Sequence, residues 1–286
     1  MPTLKCEISQ SLMNAIKTQM RATGEPLDHT VVKLLADQLQ IPHATLFQVS
    51  TSVALVEGVS QGVVTVGELK RHGNFGLGTF ASLDGEMVAV DGRFWRVLAI
   101  GDVREATDSD LVPFAVITTF RPERDIELAN VNSFQDLSAQ LDALRKSDNL
   151  FFAVRIDGNF RHVHARAVAQ TEAGGLADAV VVDAITRQAE FEFRDTEGTI
   201  VGFWTPQYAK TINISGWHMH FLTADRLGGG HLLDIAGDAM KVRIQHLDDF
   251  RMAIPESPEF LKADLTQDQT KTLDKVEHWS AGQDAR

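Results

Sequence analysis

Three histidines, His218, His220 and His231, fall within one short stretch, GWHMHFLTADRLGGGH, at a spacing that suits a metal ion. Side chains alternate across a strand, so His218 and His220 share a face. The segment from Ala224 to Gly230, rich in glycine and opened by Asp225, is of the kind that reverses a strand. His231 then begins the returning strand. If the register sets it opposite the first pair, three neutral imidazoles converge, enough to hold a transition metal and leave positions open for substrate. Spacing alone does not decide the matter, because His162 and His164 form a second His-x-His.

The elements that must position such a trio belong to a chain longer than one ordinary domain. With 286 residues, 44% apolar and 23% charged, it reads as a globular molecule of two lobes. A formal charge of -12 argues against nucleic acid or an anionic membrane as partner, so an anionic substrate needs a local cationic clamp. Cys6 is the single cysteine, which rules out an internal disulfide and suits a reducing compartment. The opening MPTLKCEISQ lacks a basic segment followed by an apolar run, and no apolar stretch is long enough to span a bilayer. A cytoplasmic location is expected.

Three parts follow from the patterning. In residues 1–40, Leu4, Cys6 and Ile8 alternate as in a strand, Leu12, Ile16 and Met20 recur at helical spacing, and Val31, Leu34, Leu35 and Leu39 stripe a second helix after Gly24-Glu25-Pro26. Strand, helix, turn and helix resemble a ribbon-helix-helix unit, a fold that dimerises through its strand and often reads DNA. Here the outward residues are Thr3, Lys5 and Glu7. Lys5, Lys17, Arg21 and Lys33 are balanced by Glu7, Glu25, Asp28 and Asp37, a poor basis for DNA binding, so dimerisation or packing is the expected role.

Residues 41–150 read as a β-rich lobe. Phe47 to Val56 is a buried strand or the start of a helix, Val66 begins a short helix, and Asp84-Gly85 and Asp91-Gly92 signal hairpins. The GxG near residue 76 has no third glycine and no following helix, so it is no dinucleotide loop. Pro113 to Phe120 is a strand, and Ser133 caps a helix running to Lys146. Residues 151–286 read as a second lobe. Two strands flank a turn at Asp157-Gly158, with Arg155 before it and Arg166 after it; Glu190 to Arg194 and Gly198 to Trp204 are further strands, followed by the histidine hairpin. Beyond Ser257, Leu265, Leu273 and Val276 could dock a helix.

Four blocks, GNFGLGTFASLDGEMVAVDG, NLFFAVRIDG, GTIVGFWTPQY and GWHMHFLTADRLGGGHLLD, in this order and at these separations, resemble the α-acetolactate decarboxylase family from about residue 45 onward. The first forty residues fall outside that pattern. The resemblance implies an α/β fold (α+β, β-rich) of two lobes with mixed β-sheets, commonly a homodimer. It implies conversion of 2-acetolactate, a small anionic 2-hydroxy-3-keto acid, to acetoin and carbon dioxide with zinc, Zn2+, as cofactor. Carried over residue by residue, it puts the metal ligands on His218, His220 and His231. It places a carboxylate at Glu86, a substrate-binding threonine at Thr79, an arginine at Arg166 and a second glutamate at Glu277.

The chemistry asks for such a set. Loss of CO2 from a β-keto acid leaves an electron pair on the neighbouring carbonyl oxygen, as an enediolate here, and a cation beside that oxygen lowers the barrier. Arg166 can clamp a carboxylate bidentately, with Arg155 as an alternative, and Glu86, Glu277 or a water can return the proton. Without the resemblance, Arg166 reads as a structural ion pair, Glu86 as a solvated turn residue and Thr79 as an ordinary strand threonine. Two rival functions make different demands. A cupin-like oxygenase or isomerase requires a glutamate soon after the His-x-His, where only Asp225 stands. A DNA-binding regulator with a ligand-sensing body requires a basic outward strand.

Overall fold

The computed structural model describes residues 4–39, 44–170 and 188–266, and the chain divides into two compact units, Met1–His43 and Ala44–Arg286. In the first unit, helix α1 (Gln10–Thr23) is capped by the Ser9 side chain, which accepts from the Leu12 amide. Gly24, at φ 74°, ends it by donating to the Met20 carbonyl, and α2 (Leu27–Gln38) follows Pro26. Both expected helices are present. The strand expected over residues 4–8 is not, because an extended segment becomes a strand only by pairing, and residues 4–9 have no ladder partner among the described residues.

The second unit carries two main sheets. The first is built from β1 (Thr45–Val49), β3 (Phe75–Thr79), β4 (Glu86–Val90), β5 (Arg93–Val97), β6 (Val103–Glu105), β8 (Phe114–Thr118) and β14 (Asp249–Ala253), in the order β14-β1-β8-β3-β4-β5-β6. All its pairings are antiparallel except β1 with β14. A small ladder joins β2 (Val64–Thr65) to β7 (Leu111–Val112). The stretch Phe47 to Val56 is strand and then helix: β1 stops at Ser50, at φ 59°, and α3 (Ser52–Val56) starts on a Thr51 cap. The short helix α4 (Val66–Leu69) has a full capping box between Thr65 and Glu68. Asp91 and Gly92, at φ 54° and 77°, make the tight turn between β4 and β5 that the sequence signals.

The second sheet runs β10-β11-β12-β13-β9, from β9 (Arg124–Val131), β10 (Phe151–Val168), β11 (Gln188–Thr205), β12 (Gly216–Thr223) and β13 (Gly229–Leu247). Because β13 also pairs with β10, four strands close into a circuit. Phe160, Val163, Ile200, Met219, Phe221 and Ile235 are buried in its core, where Leu137 and Leu141 of α5 (Phe134–Asp142) join them. Strand β9 already belongs to this sheet, and β14 returns to the first, so the change of sheet does not fall at residue 150. The last described helix, α6 (Pro258–Lys262), is short; Leu273 and Val276 lie outside the described residues. No helix among the described residues is long and apolar enough to cross a membrane.

The turn expected at Asp157-Gly158 does not form. Strand β10 runs straight through it, with Gly158 paired to Gly198 on one side and Met240 on the other. An Asp-Gly pair turns a chain when the flanking runs pair with each other, and here each run has a longer partner in β11 or β13. In the same way Glu190 to Arg194 and Gly198 to Trp204 are one strand, which absorbs the positive φ of Asp195, 47°, without breaking. The Asp157 carboxylate accepts from Arg155, Thr199 and Arg243. Burial acts to raise its pKa, but the bonds from Arg243 and Thr199 and the charge of Arg155 outweigh it and hold the group below the usual aspartate range.

A lowered folded-state pKa means that the stabilisation is fully present above the ordinary value, about pH 4, and is lost as the pH falls through the folded value. Asp157→Asn should therefore cost about 1–2 kcal/mol at pH 7, a Tm decrease of about 3–6 °C by thermal denaturation. The gap to the native protein should close below about pH 4.

Candidate metal centre

Strand alternation sends Trp217, Met219 and Phe221 of β12 into the core of the second sheet and leaves His218 and His220 on the other face. The turn that follows is built on Thr223. Its hydroxyl donates to Asp225 Oδ1 at 2.6 Å and accepts from the amide of Gly228, while Asp225 also accepts from the Leu227 amide. Asp225 is thus held in turn geometry. Strand β13 begins at Gly229, so Gly229 and Gly230 lie in the returning strand rather than in the turn. Gly230, at φ 143°, sits where a Cβ would come 2.5 Å from the Arg166 carbonyl oxygen. The lack of a side chain lets β13 approach β10 closely at that point.

Register completes the group. His220 pairs directly with His231, and His231 with Arg166 of β10. The ring centroids of His218 lie 5.0 Å from those of His220 and His231, and the latter two are 5.4 Å apart. All three rings are buried, and one nitrogen from each lies within 4.8 Å of the others. His220 Nδ1 faces the Met87 carbonyl oxygen at 2.8 Å. Burial pushes the His220 pKa down to about 4, the Met87 bond opposes that shift, and the charge of Arg166 adds to it. The ring is therefore neutral near pH 7, with its proton on Nδ1 donated to Met87. Its buried Nε2 makes no hydrogen bond. A carbonyl that fixes the tautomer and leaves the other nitrogen's lone pair directed into a buried space is the support a metal-binding histidine requires. The residues present fit a metal ion.

A carboxylate and a cation stand beside the imidazoles. Glu86 opens β4 and is 8% exposed, with Oε2 3.5 Å from His220 Nε2. Thr79 is its partner in the β3–β4 ladder and donates its hydroxyl to the Gly85 carbonyl at 2.9 Å. Arg166 is 2% exposed and reaches the Gln188 side chain at 3.4 Å. Arg155 is bonded to Asp91 and Asp157 instead. Glu277 lies outside the described residues. His162 and His164 hold Glu192 and Glu190 across the β10–β11 ladder and take no part in the group. Together the three imidazoles, the carboxylate and the guanidinium can hold a divalent ion and an anionic chelating ligand at one point.

Two contributors escape sequence reasoning. The Met87 carbonyl carries no side-chain signal at all. Gln188 could have been found, because Gln188, Glu190 and Glu192 alternate on one face as diagonal partners of Arg166, His164 and His162. Gly230→Ala should force β13 away from Arg166, costing about 2 kcal/mol or more in chemical denaturation and weakening retention of a divalent metal ion in a chelator competition.

Residues 46–267 match the alpha-acetolactate decarboxylase family. The alpha-acetolactate decarboxylase of Methanosarcina mazei is 40% identical over 232 residues, covering 81% of this chain and 80% of its own. That of Bacillus licheniformis is 38% identical over 222 residues, covering 78% and 87%. The crystal structure of alpha-acetolactate decarboxylase from Bacillus subtilis strain 168 resembles this fold with a TM-score of 0.79 at 33% identity, covering 83% of this chain and all of that one.

Proposed function

Because this chain belongs to the alpha-acetolactate decarboxylase family and is an acetolactate decarboxylase, we propose that it converts 2-acetolactate to acetoin and CO2 through an enediolate, with zinc, Zn2+, held by His218, His220 and His231. The observation that carries the metal assignment is the buried histidine group, with the His220 tautomer set by Met87. Zinc in that place supplies a Lewis acid that stabilises negative charge on the substrate oxygens.

The chain's own residues account for binding and proton movement. The Arg166 guanidinium, buried beside His231, pairs with the substrate carboxylate and holds it out of the plane of the ketone, where the breaking carbon–carbon bond aligns with the carbonyl π system. Breaking that bond releases CO2 and moves its electron pair onto the ketone oxygen. Glu86 in its carboxylic acid form gives its proton to the carbon that lost the carboxylate and regains one from solvent as product leaves, with Glu277 as the second candidate for this role. Thr79 keeps acceptor capacity on its hydroxyl oxygen toward a substrate hydroxyl while its proton is held by Gly85. Burial of Arg166, Glu86 and the three histidines excludes water, which strengthens each charge interaction. The reading carries with it a homodimer, which the resemblance implies, and a reducing, cytoplasmic setting suited to the single Cys6.

Elemental analysis of the purified protein should find about one zinc per chain, as a single three-histidine site predicts. Chelation should abolish acetoin formation and zinc should restore it. His218→Ala should lose both metal and activity, whereas Arg166→Lys should keep the zinc and lower kcat/KM by about 100-fold or more. A metal-free variant that still makes acetoin at the native rate would sink the proposal.

A further inference from the structure

The turn that delivers Glu86 is strained. Ser82 and Leu83 adopt φ of 61° and 57°, and Gly85 adopts 89°, so three of the four residues before Glu86 are left-handed and two of them carry side chains that disfavour it. Such a conformation costs on the order of 1–3 kcal/mol per residue and persists only where the surroundings impose it. The Ser82 amide donates to the Ser60 carbonyl at 2.7 Å, the Gly85 amide to the Val168 carbonyl at 3.2 Å, and the Gly85 carbonyl accepts from Thr79. Asp84 gives the turn a charged anchor, taking a bond from Arg96 Nη1 at 3.0 Å.

Arg96 is well placed to fix that anchor. It lies on β5 directly opposite Met87, the residue whose carbonyl sets the His220 tautomer. Its guanidinium stacks on the Phe80 ring, 4.0 Å from the centroid, and its other arm bonds Asp110 at 3.0 Å. Asp110 in turn accepts from the Thr107 amide. Arg96 is thus gripped on three sides and joins both ends of the loop between β3 and β4, Phe80 and Asp84. A half-buried ion pair contributes modestly to stability, so a planar, stacked, doubly bonded arginine here has more to offer as geometry than as energy.

We propose that Arg96 is a positioning residue of this enzyme: through Asp84 it holds the Ser82–Gly85 turn and so fixes the Glu86 carboxylate against His220. The inference rests on the role assigned to Glu86 above. It predicts a defect in turnover rather than in substrate capture, since Arg96 touches neither the histidines nor Arg166.

The test is a double-mutant cycle on the zinc-loaded enzyme, with kcat, KM, Tm and zinc content measured for each variant. Arg96→Met keeps the stem on Phe80 and removes both forks. It should lower kcat about tenfold and change KM less than about twofold, because small misplacement of a reacting group is costly. In a Glu86→Gln background the same substitution should cost less than about twofold, the non-additivity expected when one residue acts through another. Asp84→Asn should reproduce the kcat loss and serves if Arg96→Met does not fold. Asp110→Asn, which loosens one of the three grips on Arg96, should lower kcat less than Asp84→Asn does; a larger loss than that of Asp84→Asn would count against action through Asp84. An equal kcat loss in both backgrounds, or a silent Arg96→Met and Asp84→Asn beside an impaired Glu86→Gln, overturns this inference alone. Full activity of Glu86→Gln overturns the reading of Glu86, and this inference with it.

Discussion

The register at the start of β13 is the constraint on which the site depends. His231 has His220 on one side and Arg166 on the other, and both pairings exist because β10, β11, β12 and β13 close on themselves. In an open sheet, the beginning of β13 and the end of β10 would have no reason to meet. Closure with a large stagger brings the far end of a long strand against the tip of a hairpin, and the glycines at 229 and 230 remove the side chains that would hold the backbones apart. A slip of one residue in either pairing would turn His231 into the core and Leu232 toward Glu86. The long, well-paired lengths of β10 and β13, far from the histidines, are what prevent that slip.

Desolvation connects this register to chemistry. Packing His220 so deeply that it loses affinity for a proton near neutral pH leaves it available to a Lewis acid instead. The first sheet supplies what the second cannot: the Met87 carbonyl that sets the tautomer and the Glu86 carboxylate beside the open nitrogen. The centre is therefore made at a contact between two sheets, one contributing the three imidazoles and the other the Met87 carbonyl and the Glu86 carboxylate. Arg166, buried and bonded to the Gln188 side chain, has a charge well suited to an incoming anion.

How much of this was legible in the sequence depends on whether the signal was local. The HxH spacing and the glycine-rich turn were enough to place His218, His220 and His231 on one hairpin, because strand alternation and turn chemistry are decided by near neighbours. Helices α1, α2 and α5 were legible for the same reason, through the spacing of Leu12, Ile16 and Met20, the stop at Gly24-Glu25-Pro26, the stripe from Val31 to Leu39 and the Ser133 cap. Asp157-Gly158 misled because its local preference for a turn was overruled by partners far along the chain, Gly198 and Met240. Glu86, Thr79 and Arg166 carry no local mark at all. They came from family resemblance, since a carboxylate after an Asp-Gly turn and an arginine in a strand have commoner uses. Residues 4–9 alternate as a strand does, yet alternation supplies only a pattern and a strand also needs a partner.

The sole parallel pairing in the first sheet has a consequence for how the chain must be made. Strand β14 covers the outer edge of β1, tied by the bond from Thr45 to Asp249, and it is supplied by residues more than two hundred positions later. Until those residues leave the ribosome, β1, with four of its five residues buried in the finished fold, presents an apolar, unpaired edge. A nascent or truncated chain that ends before Asp249 is therefore a template for other chains. The charged Asp249 and Arg251 on the finished edge are the device that ends the hazard. The emerging polypeptide carries that open edge for nearly its whole length, and the completed chain does not.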